Sequence, residues 1–441
     1  MDYRAVSPAE REQMLASIGV SSMEELFVDV APRVAEEEAL GWVGDPLGEQ
    51  ELAGVLSGLA AKNNPASGFV SFLGGGTYDH YTPSVVDFVL RRPEIFTAYT
   101  PYQPEVSQGT LQAIFEFQSV ISTLTGREVA NAGMYDGATA FVEGALMAAR
   151  VTKKVRILVS ASIHPEWRQV LDTYATAGVL ELEYAPTSEL ASRVDDTYGA
   201  VLVANPDFLG RIIDIRGLVE AAHAVKALVV VAVNPVLQAV LETPGAHGAD
   251  IVVGEGQSLG VPMSFGGPGI GIFACRQEHM RQLPGRIVGR AFDTDGHPGF
   301  VLTLSTREQH IRRERATSNI CSNQTLIATA IGVYAAAVGR EGLRRVAELS
   351  VARAHHLRDA LVATGMFEAL DDSPFGYEFA LRYLGDVDRY FEITREAGFL
   401  AGLRASDLSD TYDPNVIVFA VTEKVDRASL DRFVSKVGEL R

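Results

Sequence analysis

The sequence predicts an α/β protein with a large domain on a mostly parallel sheet, a smaller C-terminal α/β domain and a helical N-terminal segment. Between about residues 70 and 310, apolar segments such as VRILVS, GAVLVAN, LVVVAV and ADIVVG alternate with helical patterns. Near-continuous apolar strands of this kind are typical of a parallel sheet covered by helices on both faces. We therefore expect an N-terminal segment at 1–65, a large domain at 66–320 and a small domain at 321–441.

The N-terminal segment carries helix signals. In SPAEREQMLASIG, Ser7 stands at the N-cap, Glu10 follows three residues later and Gly19 ends the pattern. This spacing predicts a capping box and a glycine stop. A second helix is expected after Asp45 and Pro46.

The C-terminal region begins with a mostly apolar helical segment, TLIATAIGVYAAAVG, from about residue 325. A later segment alternates aromatic or aliphatic residues with polar or small ones, which predicts a strand with one buried face. The apolar positions are Tyr377, Phe379, Leu381 and Tyr383, and the alternate positions are Glu378, Ala380 and Arg382.

Composition and charge exclude several classes of function. No apolar run approaches the roughly 18 residues of a membrane span, and the N-terminal residues lack the pattern of a signal peptide. A net charge of −18 disfavours nucleic acid and anionic membranes as partners, because both would repel the chain. We therefore expect a soluble cytoplasmic protein with protein and small-molecule partners.

The two cysteines, Cys275 and Cys321, cannot build a disulfide framework and have no metal-ligand spacing. We expect both to be buried free thiols, and we expect no metal site.

A large parallel-sheet domain followed by a small α/β domain is the layout of the aspartate-aminotransferase-like pyridoxal phosphate enzymes, known as fold type I. Doubly wound sheets support many chemistries, so the layout alone does not define a function.

One candidate anion site lies in GMYDGATA, where a turn leads into a long helix. The N–H groups of Gly137 and Thr139 at the helix start, together with the helix dipole, suit a phosphate. The alternative is that Asp136 only caps the helix.

A second candidate is His164, which follows a strand and precedes a helix in VSASIHPEWRQV. In fold type I, a ring at such a strand end often stacks on the cofactor. The alternative is an ordinary hydrogen-bonding loop residue.

A third candidate is the segment YTPYQPEVSQ, from Tyr99 to Gln108. Two prolines restrain its backbone and hold Tyr99, Tyr102 and Gln103 in a defined arrangement. Rigid aromatic and amide groups on a loop are typical of a site wall, and an ordinary packed loop is the alternative.

A cluster of arginines follows in STREQHIRRERATSNICSNQ. It could bind carboxylate or phosphate, or it could be a solvated helix face. Its members are Arg307, Arg312, Arg313 and Arg315.

These segments resemble the α subunits of the two-subunit glycine cleavage P-proteins over nearly the whole chain. The resemblance is carried by FLGGGTYDHYTPSVV, FTAYTPYQPEVSQGTLQAIFEFQ, GMYDGATA, HPEWR, GADIVVGEGQSLGVPMSFGGPG and REQHIRRERATSNICSNQ. It implies that pyridoxal phosphate and its Schiff-base lysine belong to a β subunit. Counting back from Pro262, the lysine position falls at Gln257, whose amide cannot form an imine.

The lysine positions agree with this implication. None lies between residues 226 and 424, where an anchoring lysine is expected; the lysines are Lys62, Lys153, Lys154, Lys226, Lys424 and Lys436. Fold-type relatives also place an aspartate near the end of the central strand, where this sequence offers Asn234. The pocket of Gly137, Thr139, His164, Asn234 and Gln257 is therefore expected to be vestigial.

The resemblance implies a subunit of an enzyme that decarboxylates glycine and transfers the aminomethyl group to the lipoyl arm of H-protein. We expect an α2β2 assembly in which Tyr99, Tyr102 and Gln103 reach the partner's active site. Two alternatives remain at this stage: a self-sufficient pyridoxal phosphate enzyme with an unexpected lysine, and a purely structural scaffold.

Overall fold

The computed structural model describes residues 6–30 and 44–440. The chain divides into two compact units, residues 1–65 and 66–441.

The described residues of the N-terminal unit include two α-helices, α1 (Pro8–Ile18) and α2 (Glu49–Ala60). Ser7 and Glu10 form the capping box, and Gly19 ends α1 with a φ of 89°, as the sequence predicts. Helix α2 begins later than Asp45 and Pro46, because the Glu51 carboxylate accepts a hydrogen bond from the Gly48 N–H at 3.1 Å and fixes the start there.

The second unit contains all the described strands. They are β1 (Val70–Ser71), β2 (Val129–Ala130), β3 (Arg156–Ser160), β4 (Glu181–Ala185), β5 (Tyr198–Asn205), β6 (Leu228–Val233), β7 (Ile251–Glu255), β8 (Gly271–Cys275), β9 (Ile287–Phe292), β10 (Pro298–Thr303), β11 (Phe367–Ala369), β12 (Glu378–Tyr383), β13 (Phe399–Leu400), β14 (Leu403–Arg404) and β15 (Val416–Ala420).

Its helices lie between and after these strands. They are α3 (Ser84–Leu90), α4 (Pro93–Phe96), α5 (Gln108–Thr125), α6 (Gly137–Thr152), α7 (Pro165–Ala175), α8 (Leu190–Arg193), α9 (Arg216–Ala224), α10 (Gln309–Arg312), α11 (Thr325–Ala363), α12 (Val387–Glu396) and α13 (Arg427–Gly438).

The central sheet has seven strands in the order β2-β8-β7-β6-β5-β3-β4. The strands from β4 to β7 are parallel, whereas β8 and β2 are antiparallel to their neighbours. This confirms the mostly parallel sheet that the apolar segments predict. Helix α6 packs closely on the sheet at Gly144, where an added Cβ would lie 2.8 Å from a methyl carbon of Val230.

A smaller antiparallel sheet, β11-β12-β15-β14, follows in the C-terminal region. Strand β12 buries Phe379, Leu381 and Tyr383 as the alternation predicts, but Glu378 is also buried, with 8% of its surface exposed. The carboxylate of Glu378 is directed into the fold, because it accepts hydrogen bonds from the glycine-rich segment after β1.

Helix α11 is long and apolar enough to cross a membrane by length and composition alone. It bends at Gly339, where φ is 62° and ψ is −179°, and its first half buries Ile327, Ile331 and Tyr334 in the core. These features are those of a core helix.

Candidate functional site

A small cavity of about 80 Å³ lies at the carboxyl ends of β3, β5, β6 and β7. In parallel α/β sheets this edge is the usual place for a ligand. Its wall includes His164, Asn234, Glu255 and Glu378, together with the glycine-rich segment that follows β1.

His164 lies at the end of the short loop that follows β3 and caps helix α7. Its Nε2 lies 2.7 Å from the carbonyl oxygen of Gly75, and its Nδ1 accepts a hydrogen bond from the Glu166 N–H at 3.2 Å. Burial lowers the pKa of the ring, so His164 is neutral at physiological pH. The side chain holds the glycine-rich segment in place.

Asn234 is the first residue after β6, at the strand end where the fold-type relatives are expected to place an aspartate. Its amide nitrogen donates to the hydroxyl of Tyr377, and its Oδ1 accepts from the N–H of Val236 at 3.1 Å. Both ends of the amide are therefore used within the chain.

The start of helix α6 carries two separate acidic contacts. Asp136 caps the helix, because its Oδ1 accepts the Thr139 N–H at 2.7 Å. The Gly137 N–H donates instead to the carboxylate of Glu255 at 2.8 Å. The N–H groups of Gly137 and Thr139, which the sequence predicts to bind an anion, are therefore already hydrogen-bonded to Glu255 and Asp136.

Gln257 is buried, with 6% of its surface exposed. Its Oε1 accepts the Tyr78 N–H at 2.9 Å, and its Nε2 donates to the carbonyl oxygens of Tyr78 at 3.1 Å and Val261 at 2.7 Å. The amide joins two backbone segments that are far apart in sequence.

Glu378 closes the cavity from the C-terminal sheet. Its carboxylate accepts the Gly75 N–H at 2.6 Å and the Tyr78 hydroxyl at 2.8 Å. Burial raises the pKa of Glu378 to about 7, and the nearby charge of Asp207 acts in the same direction.

The residues of this pocket do not fit pyridoxal phosphate, the cofactor of fold-type-I enzymes. The position expected for the lysine holds an amide with three hydrogen bonds, and the N–H of Gly137 is taken by a carboxylate. The pocket therefore offers neither an amine for the aldehyde nor open donors at Gly137 and Thr139 for the phosphate.

The segment from Tyr99 to Gln103 lies apart from these residues and is held by Arg286. This arginine is 3% exposed, and it donates to the Tyr102 hydroxyl at 3.0 Å, the Thr100 hydroxyl at 3.2 Å and the Glu308 carboxylate at 3.1 Å. Tyr99 is 76% exposed and Tyr102 is 50% exposed. The structure thus presents one anchored tyrosine side chain, Tyr102, and the exposed Tyr99 on the surface.

The arginines at 307–315 do not form one cluster. Arg307 is buried and donates to the carbonyl oxygens of Leu283 and Gly285, whereas Arg312 donates to that of Thr306.

Cys275 is buried as expected, but Cys321 is exposed, which corrects the prediction of two buried thiols. Cys321 lies in the irregular segment before helix α11, outside the sheet that buries Cys275.

Sequence reasoning missed Glu255, Glu378 and Arg286. The only local signal for Glu255 was an acidic residue at the end of an otherwise apolar strand, two positions before Gln257. Glu378 and Arg286 gave no signal, because their partners are distant in sequence.

Comparison with models of known protein families identifies the family of this chain. Residues 1–436 match the model described as glycine cleavage system P-protein. The chain belongs to this family. Curated relatives named probable glycine dehydrogenase (decarboxylating) subunit 1 include those of Chlorobium luteolum, 45% identical with 100% of both chains covered, and of Moorella thermoacetica, 46% identical with 99% and 98% covered.

Solved structures give the same result. A crystal structure of glycine decarboxylase (P-protein), in inhibitor-bound form, matches with a TM-score of 0.90 and 42% identity over all of both chains. A sphingosine-1-phosphate lyase of Burkholderia pseudomallei matches with a TM-score of 0.64 at 16% identity, covering 93% and 94% of the two chains, and it shows the fold alone. These matches confirm the expected fold type I and the role of a glycine cleavage enzyme.

Proposed function

We propose that this chain is the α subunit of a two-subunit glycine dehydrogenase (decarboxylating) and does not itself carry the cofactor. The observation that carries the proposal is Gln257, an amide at the expected lysine position whose polar atoms bind Tyr78 and Val261. A lysine reached from elsewhere is disfavoured, because the sequence has none between residues 226 and 424.

In this proposal a β subunit binds pyridoxal phosphate, and the assembled enzyme releases carbon dioxide from glycine. The aminomethyl group then passes to the lipoyl arm of H-protein. The name subunit 1 of the curated relatives supports a second subunit, and we propose an α2β2 assembly in the cytoplasm.

The contribution of this chain to catalysis is the segment from Tyr99 to Gln103, which reaches into the partner's active site. The anchoring of Tyr102 by the buried Arg286 supports this role, because a group that positions substrate must itself be held rigidly. This subunit can lack a working cofactor pocket and still contribute the segment from Tyr99 to Gln103 to the active site of its partner.

Reconstitution tests the proposal. The chain alone, a candidate β chain alone and their mixture are compared by size and by exchange of label between bicarbonate and the carboxyl group of glycine, with H-protein present. We expect a complex and exchange only in the mixture. Exchange by this chain alone would contradict the proposal, as would a chain that stays monomeric with excess β chain.

A further inference from the structure

The carboxylate of Glu255 lies at the centre of three backbone N–H groups. Its Oε2 accepts the Gly137 N–H at 2.8 Å, and its Oε1 accepts the N–H groups of Gln257 and Ile270 at 3.0 Å each. Gly137 is the first residue of helix α6, a helix of 16 residues. The carboxylate therefore binds the positive end of that helix.

This is the chemistry by which proteins bind phosphate. Backbone N–H groups at a helix start, together with the helix dipole, stabilise a negative charge without a basic side chain. Among the ion pairs of the described residues, none involves Glu255. Burial raises the pKa of its carboxyl, and the three backbone N–H groups oppose that rise.

Glycines lie on both sides of the carboxylate. A Cβ added to Gly269 would lie 3.0 Å and 3.1 Å from the two oxygens of Glu255, and one added to Gly137 would lie 3.0 Å from its Cβ. The same atom on Gly137 would lie 2.4 Å from the ring of Trp167. Glycine on both sides lets the carboxylate approach the three N–H groups. The groove beside the start of α6 is open, so a phosphate is opposed there by the negative charge of Glu255 and by its occupation of the donors.

We infer that Glu255 occupies the phosphate position of the former cofactor pocket, so that the chain's own carboxylate keeps phosphorylated pyridoxal compounds out even as non-covalent ligands. Shortening this side chain should uncover a phosphate site at the start of α6. The inference goes beyond the proposed function, since it concerns the isolated chain and needs neither glycine nor a partner.

The side chain of Gln257 is a second obstacle to binding of the cofactor. This side chain prevents an imine and bonds to Tyr78 and Val261, whereas only the backbone N–H of Gln257 contacts Glu255. Removing Glu255 should therefore restore phosphate binding without restoring covalent attachment of the cofactor.

The experiment measures binding of pyridoxine 5′-phosphate, which has the phosphate but no aldehyde and so cannot label surface lysines. The protein is the full chain with Trp42→Phe, so that the fluorescence of Trp167 reports the site. The variants are Glu255→Ala and Glu255→Ser. The control is Glu166→Ala, an exposed residue of α7 that removes a nearby negative charge without touching the donors.

We expect Glu255→Ala to bind pyridoxine 5′-phosphate at least tenfold more tightly than the parent chain, with competition by inorganic phosphate. Unphosphorylated pyridoxine should show no gain, and Glu166→Ala should behave as the parent. Equal binding by the parent and Glu255→Ala would overturn the inference, as would an equal gain in Glu166→Ala.

Folding provides a second readout. Removing the carboxylate leaves three N–H groups without their acceptor, so both variants should melt at a lower temperature and recover part of the loss when phosphate is added. The parent should show no such recovery. Variants that stay unfolded in high phosphate, or that are stable without it, would contradict the inference.

Discussion

Replacing Glu378 by glutamine should make the chain more stable above neutral pH. Burial raises the pKa of this carboxyl from 4.5 to about 7, so the folded state keeps a proton that the unfolded state releases. The free energy of unfolding therefore falls as the pH rises from about 4.5 to 7, and the whole loss is present above pH 7. A rise of this size corresponds to an upper limit of about 3 to 4 kcal/mol.

The structure supports this magnitude because the carboxyl has few ways to stabilise its charge. It faces the Gly75 N–H and the hydroxyl of Tyr78, while Asp207 opposes its ionisation. Glutamine keeps an oxygen for the Gly75 N–H and places its amide against the Tyr78 hydroxyl, which can accept a hydrogen bond.

Urea unfolding at pH 5.5 and pH 8 measures the effect. The parent should lose stability between these values, and Glu378→Gln should lose less. Glu143 is also buried, with a pKa raised to about 7, so part of the dependence should remain. The control is Glu368→Gln, an exposed residue of the adjacent strand β11. An unchanged pH dependence in Glu378→Gln would refute the reasoning.

Two further predictions concern Gln257, at the expected lysine position, and the segment from Tyr99 to Gln103. Gln257→Lys alone should give a colourless, inactive chain, because Glu255 still closes the phosphate position; a yellow variant that decarboxylates glycine would contradict this. Tyr102→Phe and Gln103→Ala should leave the complex with the β chain assembled and yellow. Each should lower glycine–bicarbonate exchange at least about tenfold, roughly 1.4 kcal/mol. The control Gln277→Ala, at an exposed residue, should not lower the exchange. Parent-level exchange in both variants would show that the segment is only structural.

The sequence was sufficient to predict the regular elements but not the contacts that close the pocket. Near-continuous apolar strands predicted the parallel sheet, and Ser7 with Glu10 predicted the start of α1, since both patterns are local. The interaction of Glu255 with Gly137 joins residues 118 positions apart, and that of Glu378 with Gly75 joins residues 303 positions apart. Such contacts depend on the assembled fold.

The alternation of apolar and polar residues does not always show which side chains are buried, and Glu378 is an example. It occupies a polar position of β12, and the pattern assigns it to the outer face, yet its carboxylate is buried against the segment after β1. Glu378 is the first residue of β12, and the segment after β1 covers it there, which the sequence of one strand does not show. The position of Gln257 was predicted, but its three hydrogen bonds required the structure.

The most direct test of the central claim is to reduce the assembled, active enzyme with borohydride and to find the chain that carries the pyridoxyl group by mass spectrometry. Borohydride fixes the cofactor on the lysine that holds it. We predict that all of the label lies on the β chain and none on this chain. A pyridoxyl group on any lysine of this chain, at a stoichiometry matching activity, would contradict the account.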